Sequence, residues 1–280
     1  MPVLPLRYPN VPELPEVEIT RRGIEPHVAG RTIIDLIVRE PRLRWPVPMN
    51  LRGTLAGRIV DRVRRRAKYL LFDCGDGTLI VHLGMSGSLR LLAADVPPGA
   101  HDHVDLVFKD GLLRLRDPRR FGSMLWQRSP AEEHVLLRSL GVEPLDDAFS
   151  GAYLHRATRG RRVAIKLLLM NQAVVVGVGN IYANESLFRA GILPRVRASR
   201  LSLARCERLV AEIKATLLAA LAAGGSTLRD FHAADGAPGY FQQSYFVYDR
   251  QGQACRRCGE PIKMVRLGQR STFYCAGCQR

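Results

Sequence analysis

Apolar Leu14, Val17, Ile24 and Val28 recur with charged Glu16, Glu18, Arg21 and Arg22 between them, the spacing of a helix with one apolar face. Pro26 predicts that this helix ends close by. Between residues 31 and 125 the period shortens, and TIIDLIV, GRIVDRV, KYLLFD, TLIVHL, SGSLRLL, HVDLVF and LLRLR read as short strands. Gly75-Asp76-Gly77 and Lys109-Asp110-Gly111 punctuate them as hairpin turns. Seven or eight strands behind one helix predict a β-sandwich or barrel. After Gly141 the period lengthens again. Residues 153–170, 180–190 and 202–223 carry helical patterns, the last with Gly224-Gly225 as its stop. The class is therefore α+β and multidomain, with a boundary in 143–152, where Pro144 and Gly151 stand.

Charge narrows the partner. Lys plus Arg number 42 against 26 Asp plus Glu, a net charge of +16, while 46% of the 280 residues are hydrophobic. A folded, strongly basic chain points to a polyanion such as nucleic acid. Only five of the 42 basic residues are lysines: Lys68, Lys109, Lys166, Lys214 and Lys263. A guanidinium stays protonated where an amine can exchange its proton, so each lysine is a candidate for chemistry. No uninterrupted apolar run reaches the ~18 residues of a membrane span, and 173–178 is far too short for one. The first ten residues lack the apolar core of a secretion signal, and four of six cysteines cluster at one end, which together predict a cytoplasmic protein with Cys74 and Cys206 reduced.

Four constellations carry possible chemistry. Cys255-Arg-Arg-Cys258 and Cys275-Ala-Gly-Cys278 enclose sixteen residues, the spacing of a four-cysteine zinc ribbon. Four protein thiolates leave no open position, so one zinc ion would hold a fold rather than activate water. Between the knuckles IKMVRL and STFYC read as two strands that bring Arg270 to a hairpin tip, a place from which to touch a phosphate. The second is Gly177-Val178-Gly179-Asn180 ahead of a helix, a pattern that suits both a phosphate cradle and a plain interhelical turn. The third is Pro12-Glu13-Leu14-Pro15-Glu16. Proline and acids open many helices, but a terminal Pro12 would offer a secondary amine that is partly uncharged near neutrality, with Glu13 beside it as an acid. The fourth is Arg64-Arg65-Arg66-Ala67-Lys68, a basic sheet edge that contains the only lysine of the first hundred residues.

Together with HLGMSGSL, HDHVDL, DPRRFG and GVGNIYANESLFRAGILP, these motifs closely resemble the bacterial formamidopyrimidine-DNA glycosylases, from Pro12 to Arg280. The resemblance implies a bifunctional DNA glycosylase and AP lyase that excises 8-oxoguanine and formamidopyrimidines from duplex DNA in base excision repair. It implies a catalytic β-sandwich with a leading helix over 12–142, a linker at 143–152, a helix-two-turn-helix domain over 153–245 and a zinc finger over 246–280. It assigns attack on C1′ to Pro12, acid catalysis to Glu13, proton donation in β-elimination to Lys68 and a part in δ-elimination to Arg270. Met85, Arg119 and Phe121 match the residues that fill the space of the flipped base, and His101 and Arg161 match DNA-binding positions. Lys166 and Asn180 match phosphate contacts, and residues 226–240 match the loop that closes over the lesion. The expected enzyme is a monomer at the bacterial nucleoid that needs no protein partner.

One departure bears on the nucleophile. Family members begin with Met followed by PELPE, whereas ten residues and Val11 precede that motif here. The expectation is that 1–11 is a misassigned extension, that initiation occurs at the Val11 codon, and that removal of the initiator exposes Pro12. Pro2 is a poor substitute, because Val3 rather than Glu follows it. A retained extension would leave a damaged-DNA binder without catalysis. An endonuclease VIII type enzyme for oxidised pyrimidines is the remaining alternative, disfavoured by Leu14, Arg119 and Phe121.

Overall fold

The computed structural model describes residues 12–128, 130–225 and 241–280. The extension 1–11 and the loop 226–240 lie outside the described residues. The chain forms two compact units: one contains Pro12 and Glu16–His134, the other Glu13–Pro15, Val135–Gly225 and residues 241–280.

In the first unit, helix α1 (Leu14–Val28) spans the residues that the apolar spacing marks and ends two residues past Pro26. Its apolar stripe is buried as the spacing requires. Polar anchors lay it along the strand Arg62–Arg66: Arg21 donates to the Val63 carbonyl, Glu25 accepts from the Val63 amide, and Arg65 pairs with Glu18. Eight strands follow: β1 (Asp35–Val38), β2 (Arg62–Arg66), β3 (Tyr69–Cys74), β4 (Gly77–His82), β5 (Ser88–Leu92), β6 (Asp102–Phe108), β7 (Gly111–Arg116) and β8 (Ser123–Arg128). They make two four-stranded antiparallel sheets, ordered β1-β6-β7-β5 and β2-β3-β4-β8. Leu70–Phe72 and Leu79–Val81 are buried without alternation, so these strands are covered on both faces. Both expected turns form two-residue hairpins, with Cys74 opposite Gly77 and Phe108 opposite Gly111. A short helix α2 (Leu51–Leu55), which the alternating pattern does not announce, buries Leu51 and Leu55.

The second unit is helical with a terminal hairpin. The helical pattern over 153–170 is two helices, α3 (Gly151–Thr158) and α4 (Ile165–Leu169). The break has a local and a distant cause. Gly160 takes left-handed backbone at φ +70°, and the following residues run extended beside 196–199, where the Ala198 amide reaches the Val163 carbonyl and the Ser199 amide the Arg161 carbonyl. Helices α5 (Asn180–Arg189) and α6 (Leu203–Ala222) complete the bundle. Ser150 and Ser202 cap α3 and α6 with their hydroxyls. Strands β9 (Lys263–Leu267) and β10 (Arg270–Tyr274) pair antiparallel, with Gly268 and Gln269 both at positive φ in the turn. Arg270 is therefore the first residue of β10, exposed beside the tip rather than within the loop. No helix among the described residues is long and apolar enough to cross a membrane.

Candidate active site

Glu13 is buried at the start of α5. Its carboxylate accepts from the Gly179 amide at 2.7 Å, the Ile181 amide at 2.8 Å and the Tyr182 amide at 3.4 Å. These are donors that a helix N-terminus leaves without intrahelical partners, and the helix dipole favours an anion there. The glycines of the GVG motif are what let the acid approach. A Cβ on Gly179 would stand 2.3 Å from the Glu13 carboxyl carbon, and one on Gly177 would stand 2.6 Å from the Leu14 Cβ. The Leu14 amide donates to the Gly177 carbonyl at 3.1 Å and completes the clasp. The amides beside the glycines thus do hold an anion, but the occupant is a side chain from 166 positions earlier in the sequence rather than a phosphate. Pro12, also buried, immediately precedes this fixed carboxylate.

Lys166 lies fully buried nearby. Its ammonium donates to the Ser271 carbonyl at 2.9 Å and to the Thr272 Oγ1 at 2.7 Å, which ties α4 to β10 directly after Arg270. Burial pushes its pKa down from 10.5 to about 7; the Glu13 charge works against that drop and the Arg270 charge adds to it. Burial likewise raises the Tyr248 phenol well above its ordinary value, with the Glu13 charge adding, while a side-chain hydrogen bond with Asn180 opposes the rise. Glu13, Lys166, Asn180, Tyr248 and Arg270 therefore form one electrostatic cluster within the second unit. Arg161 is exposed in the link between α3 and α4.

In the first unit Lys68 sits at the tip of the β2–β3 hairpin, after Ala67 in left-handed conformation and between the paired residues Arg66 and Tyr69. Its charge presses on His82, whose pKa falls to about 4, chiefly through burial. His82 is then neutral at pH 7, and its Nδ1 accepts the Gly84 amide at 3.0 Å. The loop after it carries Met85. Arg42, Arg44, Met85, Arg119, Arg120 and Phe121 line a cleft of about 550 Å³. The Arg119 guanidinium carbon lies 5.0 Å from the Phe121 ring centre, a cation–π contact on an exposed aromatic. His101 is exposed just before β6.

The four terminal cysteines converge. Their sulfurs all lie within 4.8 Å of one another, with Cys255 to Cys278 at 3.8 Å and Cys258 to Cys275 at 3.3 Å. A tetrahedral site with zinc–sulfur bonds of about 2.3 Å has sulfur–sulfur edges of roughly 3.8 Å, so the cluster fits one zinc ion and leaves no open position. The finger is stitched to the bundle. Gln279 accepts from the Cys275 amide and donates to the Ile192 carbonyl, and the backbone of Arg280 pairs with Gly191 and Leu193. Arg257, between two zinc ligands, lies over the rings of Phe188 and Phe246, which stack on each other at 5.2 Å.

Comparison with known proteins agrees with this architecture along the chain. The formamidopyrimidine-DNA glycosylase N-terminal domain family matches residues 11–124, the formamidopyrimidine-DNA glycosylase H2TH domain matches 140–232, and a zinc finger found in FPG and IleRS matches 252–280. The formamidopyrimidine-DNA glycosylases of Methylococcus capsulatus and Aromatoleum aromaticum are each 61% identical over 96% of this chain and 100% of their own length. The chain belongs to the formamidopyrimidine-DNA glycosylase family. Among solved structures, the FPG protein of Thermus thermophilus is 39% identical with a TM-score of 0.87, over 96% of this chain and 98% of that one. A Lactococcus lactis FPG mutant in complex with Fapy-dG containing DNA gives 34% identity and a TM-score of 0.90, over 96% and 100%.

Three residues of this glycosylase escape sequence reading. Tyr248 joins the Glu13 cluster. Glu185, buried within α5, accepts the amides of Phe246, Val247 and Tyr248 at 2.9 to 3.0 Å and so fixes the segment that carries that tyrosine. Asp117 is fully buried at the base of the Arg119 loop. An acid in the apolar phase of a helix, as in ANESLF, is the signal that could have flagged Glu185. Asp117 lies inside DPRRFG and is masked there by its arginines.

Proposed function

We propose that this chain is a bifunctional DNA glycosylase and AP lyase that removes oxidised purines from duplex DNA and nicks the strand. The observation that carries the reading is the Glu13 carboxylate, clamped by three backbone amides beside Pro12. An acid held in one orientation next to a proline whose nitrogen, once terminal, is a secondary amine is the arrangement that imine chemistry at a sugar carbon requires.

In this reading the Pro12 nitrogen attacks C1′ as the bond to the damaged base breaks, and the base leaves with a proton. Glu13 takes up the proton that the attacking nitrogen loses and delivers it to the sugar ring oxygen, which opens the ring as the nitrogen lone pair gives an iminium with C1′. Loss of a C2′ proton to solvent then expels the 3′-phosphate, to whose leaving oxygen Lys68 donates a proton, and a second elimination assisted by Arg270, with a further sugar proton lost to solvent, expels the 5′-phosphate. Extrusion of the base costs a few kcal/mol of stacking and pairing. Met85, Arg119 and Phe121 enter the vacated space, with the Arg119 guanidinium toward the orphaned cytosine. His101, Arg161, Lys166 and Asn180 serve the DNA backbone; because the Lys166 ammonium is buried, it acts on the phosphates through the β10 hairpin it holds. The zinc supplies the cross-link that keeps that hairpin folded. The enzyme works as a monomer in the bacterial cytoplasm, at the nucleoid.

The nucleophile must be free. Matching to the family begins at residue 11, and we propose that the active enzyme starts at Pro12. Intact mass of protein expressed from its native gene, with borohydride trapping on 8-oxoguanine DNA, tests both parts. A mass beginning at Pro12 with a covalent adduct is expected; an adduct formed by protein that retains residues 1–11 would remove Pro12 as the attacking group. A parallel duplex with an oxidised pyrimidine separates the endonuclease VIII alternative, which requires faster excision of that base than of 8-oxoguanine.

A further inference from the structure

Met85 and the pair Arg119 and Phe121 come from loops far apart in sequence, yet a single buried side chain joins them. The Asp117 carboxylate, fully buried, accepts the Ser86 hydroxyl at 2.8 Å across 31 positions. Its second oxygen accepts the Gly122 amide at 2.8 Å. The Arg119 amide lies 3.2 Å from the Ser86 Oγ and 3.3 Å from the first Asp117 oxygen. One carboxylate therefore grips the residue after Met85, the amide of Arg119 and the residue after Phe121.

The surroundings allow little slack. Asp117 is itself held from behind, its amide on the His101 carbonyl at 3.0 Å and its carbonyl on the His103 Nε2 at 2.8 Å. Arg120 adopts left-handed backbone at φ 56° between the gripped residues. Gly84, at φ +67°, packs so closely on the other loop that a Cβ would stand 2.4 Å from the Phe121 carbonyl carbon. A Cβ on Gly122 would stand 2.8 Å from the His82 carbonyl oxygen. Asp117 alone could serve its own turn through Arg119 and Gly122; the Ser86 bond is the part that such a turn does not need.

We propose that Asp117, through Ser86, is a positioning residue that makes Met85, Arg119 and Phe121 one preformed wedge. The inference rests on the reading that those three fill the space of the extruded base. A wedge whose parts moved separately would have to be ordered at each insertion, and preorganisation removes that cost.

The test uses full-length enzyme and a duplex with 8-oxoguanine opposite cytosine and 2-aminopurine beside the lesion, whose fluorescence rises when stacking is broken. Ser86→Ala removes the bond between loops and leaves the Asp117 turn intact. Asp117→Asn keeps the shape but turns an amide N–H toward a donor. Both are expected to slow the fluorescence rise by about tenfold, to lower 8-oxoguanine excision about tenfold more than strand cleavage at a preformed abasic site, and to lose little further when Met85→Ala is added. Where Asp117→Asn fails to fold, Ser86→Ala decides. A wild-type rise in Ser86→Ala and folded Asp117→Asn, with a slowed rise in Met85→Ala, would overturn the positioning role and leave the wedge intact. Equal losses on both substrates would reduce Asp117 to a general structural residue and overturn it too. A wild-type rise in Met85→Ala and Arg119→Ala would instead overturn the wedge reading.

Discussion

A Cβ at position 179 competes directly with the Glu13 carboxyl group, so Gly179→Ala is expected to eject the acid from its amide cradle. The uncovered amides and displaced carboxylate cost about 2–3 kcal/mol of stability. Activity is expected to fall by about a hundredfold or more, the scale of a lost general acid. Thermal melting and single-turnover excision read the two effects. A second prediction concerns Lys166, whose pKa drops from 10.5 to about 7 in the folded chain. Between those values the unfolded chain binds the extra proton, so this group makes stability rise with pH from about 7 to 10.5 and weighs most on the fold below pH 7. Lys166→Met is expected to flatten that rise in melting temperature; an unchanged slope would show that the amine titrates normally. Legibility at this scale divides cleanly. Cys255, Cys258, Cys275 and Cys278 are readable because a ligand set has fixed chemistry and short spacing. The occupant of the GVG cradle is not readable, because helix-terminal amides accept any anion and only the tertiary fold brings Glu13 to them.

At the scale of elements, a hairpin of two five-residue strands is marginal without a cross-link. Cys258→Ser is expected to lower bound zinc well below one ion per chain and to melt β9–β10, with loss of the second elimination proposed for Arg270 while the first persists. Elemental analysis and circular dichroism follow the first part, and gel assays of β- against δ-elimination follow the second. Arg257→Ala removes the stack on Phe188 and Phe246 and is expected to cost about 0.5–2 kcal/mol while zinc stays bound. The sandwich and α6 are legible because their apolar periods are unbroken and their turns and caps are local. The split between α3 and α4 is not, since Val163 stays in helical phase while its backbone is claimed by partners near residue 198. Helix α2 hides for a different reason: five residues are too few for a period to declare itself.

For the whole molecule, a net charge of +16 predicts binding to undamaged duplex that weakens steeply with salt, each phosphate contact adding about −0.9 to the slope of log affinity against log salt. Arg161→Ala is expected to make that slope shallower by about 1 without changing preference for the lesion. Titrations at several salt concentrations, on damaged and undamaged duplex, decide it; an unchanged slope would place Arg161 off the phosphates.

The stitching of Gln279 and Arg280 to Gly191, Ile192 and Leu193 has a practical consequence for anyone handling the protein. Deletion of just these two amino acids would strip the partner from the Cys275 amide and the backbone seam from the bundle. All four thiolate ligands would survive. Such a protein is expected to lose metal and activity although its mass differs by only two residues and its band on a denaturing gel does not visibly move.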